Sequence, residues 1–258
     1  MKLLRYSIND EANYGILEAD NIIRQLTSPP FNDLEPSGVA THLDEVQVLA
    51  PVERPRVIGV GLNYVAHAHE SGKPLPEIPL LFMKPSTAVI GHEEAIVYPR
   101  QGEEVHYEAE LAVVIGKQAR RVSQTDALAY VLGYTCGNDV SERVIQSAEM
   151  SMGAILLGKG FDTFCPLGPY IATDLDPTNL DIAARLNGVV KQDSNTSDLL
   201  FGVATLVSYI SEGMTLIPGD VIMTGTPSGV GPVTPGDVVE IEISGIGVLR
   251  NPVVAEAF

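Results

Sequence analysis

The sequence predicts an α+β fold in which β-structure predominates, with a small N-terminal β annex ahead of a larger main domain. Three observations predict it. Short apolar, β-branched runs recur along the chain between Gly and Pro turns. Few segments carry a helical period, and no regular strand–helix alternation of the kind that builds a doubly wound sheet is present. At 258 residues, 45% of them apolar, the chain is long enough for one large domain plus an annex, with a sizeable core.

The annex is expected over residues 1–52. Its pieces KLLRYSI and YGILEAD alternate with turn residues and end near Ser28-Pro29-Pro30, which implies little internal burial. Pro51 and Pro55 punctuate the passage into the main domain, 53–258, which starts with the buried strand Val57–Gly61. Further strands are expected at 80–84, 88–90, 109–115, 170–173, 183–186, 221–224 and 238–243, from β-branched enrichment bounded by turns. Helices are expected at 123–129, where Ser123 can cap and Asp126 sits in the first turn, at 139–148, and at 203–212.

The formal net charge of −17 argues against nucleic acid or an anionic membrane surface as a partner. A small anionic substrate would need local cations, and after position 150 these are only Lys159, Arg185, Lys191 and Arg250. Cys136 and Cys165 read as buried free thiols rather than a disulfide framework. No secretory leader and no membrane-length apolar run is visible, so a cytoplasmic location is expected. The glycine-rich segments fail as nucleotide motifs. Gly59-Val60-Gly61 is followed by Tyr64 where a third glycine would stand, and Gly225–Gly231 lacks a P-loop lysine. No Gly-x-Ser-x-Gly elbow and no His-Glu-x-x-His motif occurs.

The richest stretch is V-H-Y-E-A-E-L-A-V-V-I-G-K, 105–117. Glu108 and Glu110 stand two apart on a predicted half-buried strand, so they point the same way. Two anions on one such face repel unless a cation lies between them, and a hard divalent ion with oxygen ligands fits. A solvated edge-strand face is the alternative. His67 and Glu70 share one face of a helical turn, where a carboxylate raises imidazole basicity and can activate water; a polar surface turn is the alternative. Lys84 ends an apolar strand, and Lys159 lies between glycines. Asp139 begins a predicted helix, where an ordinary N-cap competes with a functional role. Thr224-Gly225-Thr226-Pro227 offers hydroxyls and free backbone N–H groups suited to a carboxylate, or simply a tight turn.

Together these segments resemble the fumarylacetoacetate hydrolase superfamily. G-L-N-Y-x-x-H-x-x-E, F-M-K-P-S-T-A, Y-E-A-E-L-A-V-V-I-G, G-Y-T-C-G-N-D-V-S-E-R, G-K-G-F-D-T-F-C-P-L-G-P, Q-D-S-N-T-S-D-L-L-F and T-G-T-P-S-G-V-G-P occur in that family's order between Val57 and Pro252. The resemblance implies a mixed β-roll, a homodimer or higher homo-oligomer, and Mg²⁺ or Mn²⁺ held by Glu108, Glu110 and Asp139. It implies His67, Glu70 and Lys159 as catalytic residues, and Lys84, Arg143, Gln146 and Thr226 as substrate contacts. With Lys159 and a divalent ion, the three carboxylates are expected to leave the site near neutral.

The activity implied first is C–C bond cleavage in a small anionic 2-oxo acid through a metal-stabilised enolate, as in an acylpyruvate or fumarylpyruvate hydrolase or an oxaloacetate decarboxylase. The alternatives are a 2-hydroxyhepta-2,4-diene-1,7-dioate isomerase or 5-carboxymethyl-2-hydroxymuconate decarboxylase type of enzyme from aromatic catabolism, or a non-catalytic metal-stabilised binding protein. Two departures from the family pattern bear on the pocket. Val144 replaces a polar residue beside Arg143, and Ile155-Leu156-Leu157 stands where many members carry a tryptophan.

Overall fold

The computed structural model describes residues 1–70 and 72–257. Its backbone is a twelve-stranded mixed sheet, a five-stranded sheet and a three-stranded sheet. Along the large sheet, four N-terminal strands (Pro36–His42, Ile22–Leu26, Glu11–Leu17, Lys2–Ile8) lead directly into Cys165–Ala172, Val131–Asn138, Ala109–Ile115, Val221–Met223, Val57–Gly61 and Leu80–Lys84. The annex strands thus continue the main sheet, through Lys2 opposite Ala172 and Leu3 opposite Ile171. Most pairings are antiparallel, while Val221–Met223 runs parallel to Val57–Gly61.

The strand Ala109–Ile115 shows why the site sits where it does. All seven residues are buried, so both faces are covered rather than one, as the unbroken apolar run allows. Ala109, Leu111, Val113 and Ile115 enter the largest core cluster, while Ala112 and Val114 enter a second one with Leu3, Val57 and Leu167. Side chains alternate along a strand, so Glu110 shares the face of Ala112 and Val114, at the end where that second core stops. Glu108 lies one residue before the strand, in the break after Val105–Tyr107.

Two predicted helices are placed differently. The segment from Ser123 is a turn followed by a short 3₁₀ piece, Ala127–Tyr130; Ser123 Oγ accepts from the Asp126 N–H at 3.2 Å, and the strand at Val131 cuts off any longer helix. The helix expected from Asp139 begins instead at Arg143 and runs to Ser151. Glu142 caps it, accepting from the Ile145 N–H at 2.6 Å, which leaves the Asp139 carboxylate free for other partners. The third helix, Val203–Gly213, agrees with expectation, and His67 and Glu70 do share a short helix, Val65–Glu70. Ser71, which follows it, lies outside the described residues. Among the described residues, no helix is long and apolar enough to cross a membrane.

Candidate active site

Glu108, Glu110 and Asp139 converge although thirty-one positions of chain separate the first from the last. Two hydrogen bonds bring them together: the Glu108 N–H donates to Asn138 Oδ1 and the Asp139 N–H donates to Glu108 O, both at 2.9 Å. One oxygen from each carboxylate lies within 4.8 Å of the others, and all three residues are buried. Three buried anions at this spacing require cations. Lys159 supplies one, donating to Glu108 at 2.8 Å and to Asp139 at 2.5 Å. Arg143 pairs with Glu108 at 2.6 Å. Lys84 pairs with the remaining Asp139 oxygen and donates to the Val140 carbonyl at 3.1 Å.

Glu110 is the exception. Its carboxylate accepts from the Gly225 N–H at 2.7 Å, and among the described residues it forms no ion pair. Burial, then the Asp139 and Glu108 charges, push its carboxyl well above the ordinary range. Burial also works against Glu108, but Lys159 and Arg143 outweigh it and hold that carboxyl well below the usual range. The donor set is three carboxylates, one of them lacking a cation, with their oxygens gathered in one place. That fits a hard divalent ion such as Mg²⁺ or Mn²⁺.

One consequence is measurable. In metal-free protein the raised Glu110 carboxyl holds a proton above pH 4.5, its ordinary value, and a divalent ion must displace it. Metal affinity should therefore rise with pH until Glu110 ionises, with proton release on binding. Conversely, the stability this proton confers on the metal-free protein is complete below the ordinary carboxyl value and disappears as pH rises through the elevated one. Calorimetry in buffers of different ionisation enthalpy reads the proton directly; binding without proton release in the acid range would contradict the assignment.

The carboxylates open onto a cavity of about 390 Å³. Its wall includes His67, Lys159, Arg143, Gln146 and Thr226, together with Ile155 from the tryptophan-less segment, and also His106, Lys73, Phe82 and Met150, which the sequence does not single out. Glu70 stands outside the wall, behind His67, with Oε2 3.3 Å from His67 Nδ1. A carboxylate accepts only, so Nδ1 carries the proton and Nε2 is left as the basic nitrogen. Glu70 is held by the Gly229 N–H at 3.2 and 3.3 Å. Gly229 has φ +94°, and a Cβ there would come 2.1 Å from the Lys191 carbonyl oxygen, so only glycine fits.

Lys84 differs from expectation. It is fully buried and absent from the cavity wall, because its amine is occupied by Asp139 and Val140 O; it holds a carboxylate in place rather than facing substrate. The charge balance differs too. Lys84, Arg143 and Lys159 offset the three carboxylates when Glu110 is ionised, so a divalent ion there would leave two positive charges rather than near neutrality. Val144 points away at 43% exposure, whereas Ile155 lines the cavity in the region of the missing tryptophan. Local anchoring is strong: Gln146 accepts from Arg143 at 2.9 Å, and the Glu149 carboxylate accepts from the Leu156, Leu157 and Gly158 N–H groups at 3.0, 2.7 and 3.0 Å, tying the Lys159 turn to the helix.

The chain is similar to known families and proteins along nearly all of its length. Residues 56–254 match the family described as fumarylacetoacetate (FAA) hydrolase C-terminal, and residues 1–51 match the one described as Rv2993c-like, N-terminal. Oxaloacetate tautomerase FAHD2A, mitochondrial, of Bos taurus is 46% identical over 221 residues, covering 81% of this chain and 70% of its own. The structure of 5-carboxymethyl-2-hydroxymuconate delta-isomerase from Mycobacterium smegmatis superposes with TM-score 0.93 at 44% identity, covering 99% of this chain and 100% of that one. Maleylpyruvate hydrolase from Sphingobium sp. SYK-6, in complex with manganese(II) and pyruvate, superposes with TM-score 0.82 at 31% identity, covering both chains fully (100% each).

Proposed function

Because the chain belongs to the fumarylacetoacetate hydrolase family, we propose that it is a divalent-metal-dependent enzyme that moves a proton on the enolisable carbon of a small dianionic 2-oxo acid. The charge balance of the site carries this reading. Once an incoming ion displaces the Glu110 proton, the three carboxylates offset Lys84, Arg143 and Lys159, so a Mg²⁺ or Mn²⁺ on Glu108, Glu110 and Asp139 leaves an excess of two positive charges. A dianion such as oxaloacetate complements that excess. This local field works against the repulsion expected from a chain of net charge −17.

When bound, the ion supplies Lewis-acid polarisation of a 2-oxo group, which acidifies the neighbouring carbon. The chain does the rest. Arg143 and Thr226 offer donors to a carboxylate from the cavity wall, and Lys159 adds an ammonium beside the reacting centre. His67 Nε2 takes a proton from the enolisable carbon and returns it to another atom, while Glu70 stabilises the imidazolium that forms in between. Phe82, Leu80 and Met150 supply the apolar part of the cavity wall.

Proton transfer is favoured over C–C cleavage because the relatives named for tautomerisation and isomerisation are 46% and 44% identical to this chain, against 34% and 31% for solved structures named as hydrolases. Hydrolysis of an acylpyruvate is the second reading. The same His67–Glu70 pair favours it, since an imidazole backed by a carboxylate equally activates water.

The test is a metal-depleted assay with and without Mg²⁺ or Mn²⁺ on oxaloacetate, acetylpyruvate, fumarylpyruvate and a 2-hydroxymuconate-type diacid. Metal-dependent interconversion of enol and keto forms, or a double-bond shift without product fragments, is the expected result. Faster release of pyruvate from an acylpyruvate would establish the second reading instead. Metal binding with no turnover on any of the four would make the protein a binder.

A further inference from the structure

Gln192 is 1% exposed, lies outside the cavity wall, and uses every hydrogen-bonding group of its side chain. Oε1 accepts from the Ala109 N–H at 2.9 Å; Nε2 donates to the Pro227 carbonyl at 2.8 Å and to Thr226 Oγ1 at 2.8 Å. The orientation of this amide is dictated by its partners. A backbone N–H can only donate and a proline carbonyl can only accept, so the oxygen must face Ala109 and the nitrogen must face Pro227. The second Nε2 hydrogen then has one place to go, into the oxygen of Thr226.

A hydroxyl that accepts from Gln192 keeps its own hydrogen for another partner. Among the described residues, Thr226 Oγ1 has no second partner, and Thr226 lines the cavity. We infer that Gln192 is a positioning residue that fixes the polarity of Thr226, so that its O–H is presented to the cavity as a donor selective for an anionic oxygen. Gln192 also fastens the start of the Ala109–Ile115 strand, between Glu108 and Glu110, to the Thr226 turn, so the carboxylate triad and the donor share one frame.

The inference rests on the reading that the cavity takes a carboxylate-bearing 2-oxo acid. Oxalate is a suitable probe, since it pairs a carboxylate with an adjacent anionic oxygen. The experiment is a double-mutant cycle on Gln192→Glu and Thr226→Val, reading oxalate affinity by calorimetry with saturating Mg²⁺, together with Mg²⁺ affinity and thermal melting. The Gln192→Glu change keeps the acceptor for Ala109 but turns the Thr226 hydroxyl around, because a carboxylate draws its hydrogen. Each single change should weaken oxalate about tenfold or more, as loss of a hydrogen bond to a charged group implies. In the Thr226→Val background, Gln192→Glu should weaken it no further.

If the Gln192→Glu variant fails to fold, Gln192→Leu completes the same cycle without burying a charge. A purely structural role would instead lower melting temperature and Mg²⁺ affinity and leave the two effects on oxalate additive, which overturns the inference while leaving the functional reading intact. Failure of the parent protein to bind oxalate with Mg²⁺ present would overturn both.

Discussion

Asp139→Ala should lose divalent-metal binding and turnover together, and should melt at a lower temperature than the parent. The three effects have separate causes. Removing one of three carboxylates takes away a metal ligand, and with it Lewis-acid assistance of several kcal/mol, so the rate should fall by roughly three orders of magnitude or more. The melting effect comes from the cations left behind. Asp139 accepts from Lys159 and from Lys84. Without it, Lys159 retains Glu108, but Lys84 keeps only the Val140 carbonyl in a fully buried setting. Orphaning one member of a buried pair typically costs about 3–5 kcal/mol. Asp139→Asn separates the two, since an amide keeps the shape and one acceptor while losing the charge; it should retain more stability than metal affinity. Calorimetry with Mn²⁺ and thermal melting read both variants. Metal-dependent turnover surviving in Asp139→Ala would end the carboxylate-triad assignment.

His67→Ala should behave in the opposite way, losing activity without losing the metal or the fold. His67 stands on the short helix Val65–Glu70, and its ring bonds to Glu70, a residue of the same helix. The hydrogen bonds and ion pairs that gather the triad do not pass through it. The expected loss in kcat is about 10²–10⁴-fold, the usual contribution of a positioned acid–base group, with Mn²⁺ affinity unchanged and stability lowered by about 1 kcal/mol, as loss of one hydrogen bond implies. Glu70→Gln should cost less, because the amide still reaches the imidazole and the Gly229 N–H while losing the charge that stabilises an imidazolium. Unchanged turnover in His67→Ala would remove the proton-carrying role from this residue.

The candidate site residues are legible in the sequence where chemistry restricts residue type at short spacing. Glu108 and Glu110 share a direction because strands have period two, and His67 and Glu70 meet because a helix has i,i+3 neighbours. The resemblance added Asp139, Lys159 and Thr226 from distant positions. Lys73, His106 and Met150 have no such local signal, since only the topology brings them to one cavity. Among strands, Val131–Asn138 is not legible in the sequence, for a physical reason. It contains Gly133 and Gly137, which read as interruptions, yet a Cβ at Gly133 would stand 2.5 Å from the Ala172 carbonyl oxygen. Close packing by the neighbouring strand requires glycine there, so the feature that hides the strand is what lets the sheet close. At Asp139 an N-cap competes with a functional role because the cap motif is local, whereas its two lysine partners arrive from 55 and 20 residues away.

The continuity of the N-terminal strands with the main sheet affects how the chain can be dissected. Leu3 belongs to the same apolar cluster as Val57, Leu167 and Val221, and Ile16, Phe31 and Leu34 pack onto it. The Thr173 N–H donates to the Met1 carbonyl, extending the seam by another residue. Cutting at Pro51 would therefore strip the cover from Ile171 and Leu167 and turn an interior strand into a sticky rim, with free N–H and C=O groups beside newly wetted hydrocarbon. A shortened chain carrying the whole carboxylate triad should still be a poor reagent in solution, prone to self-association through that rim.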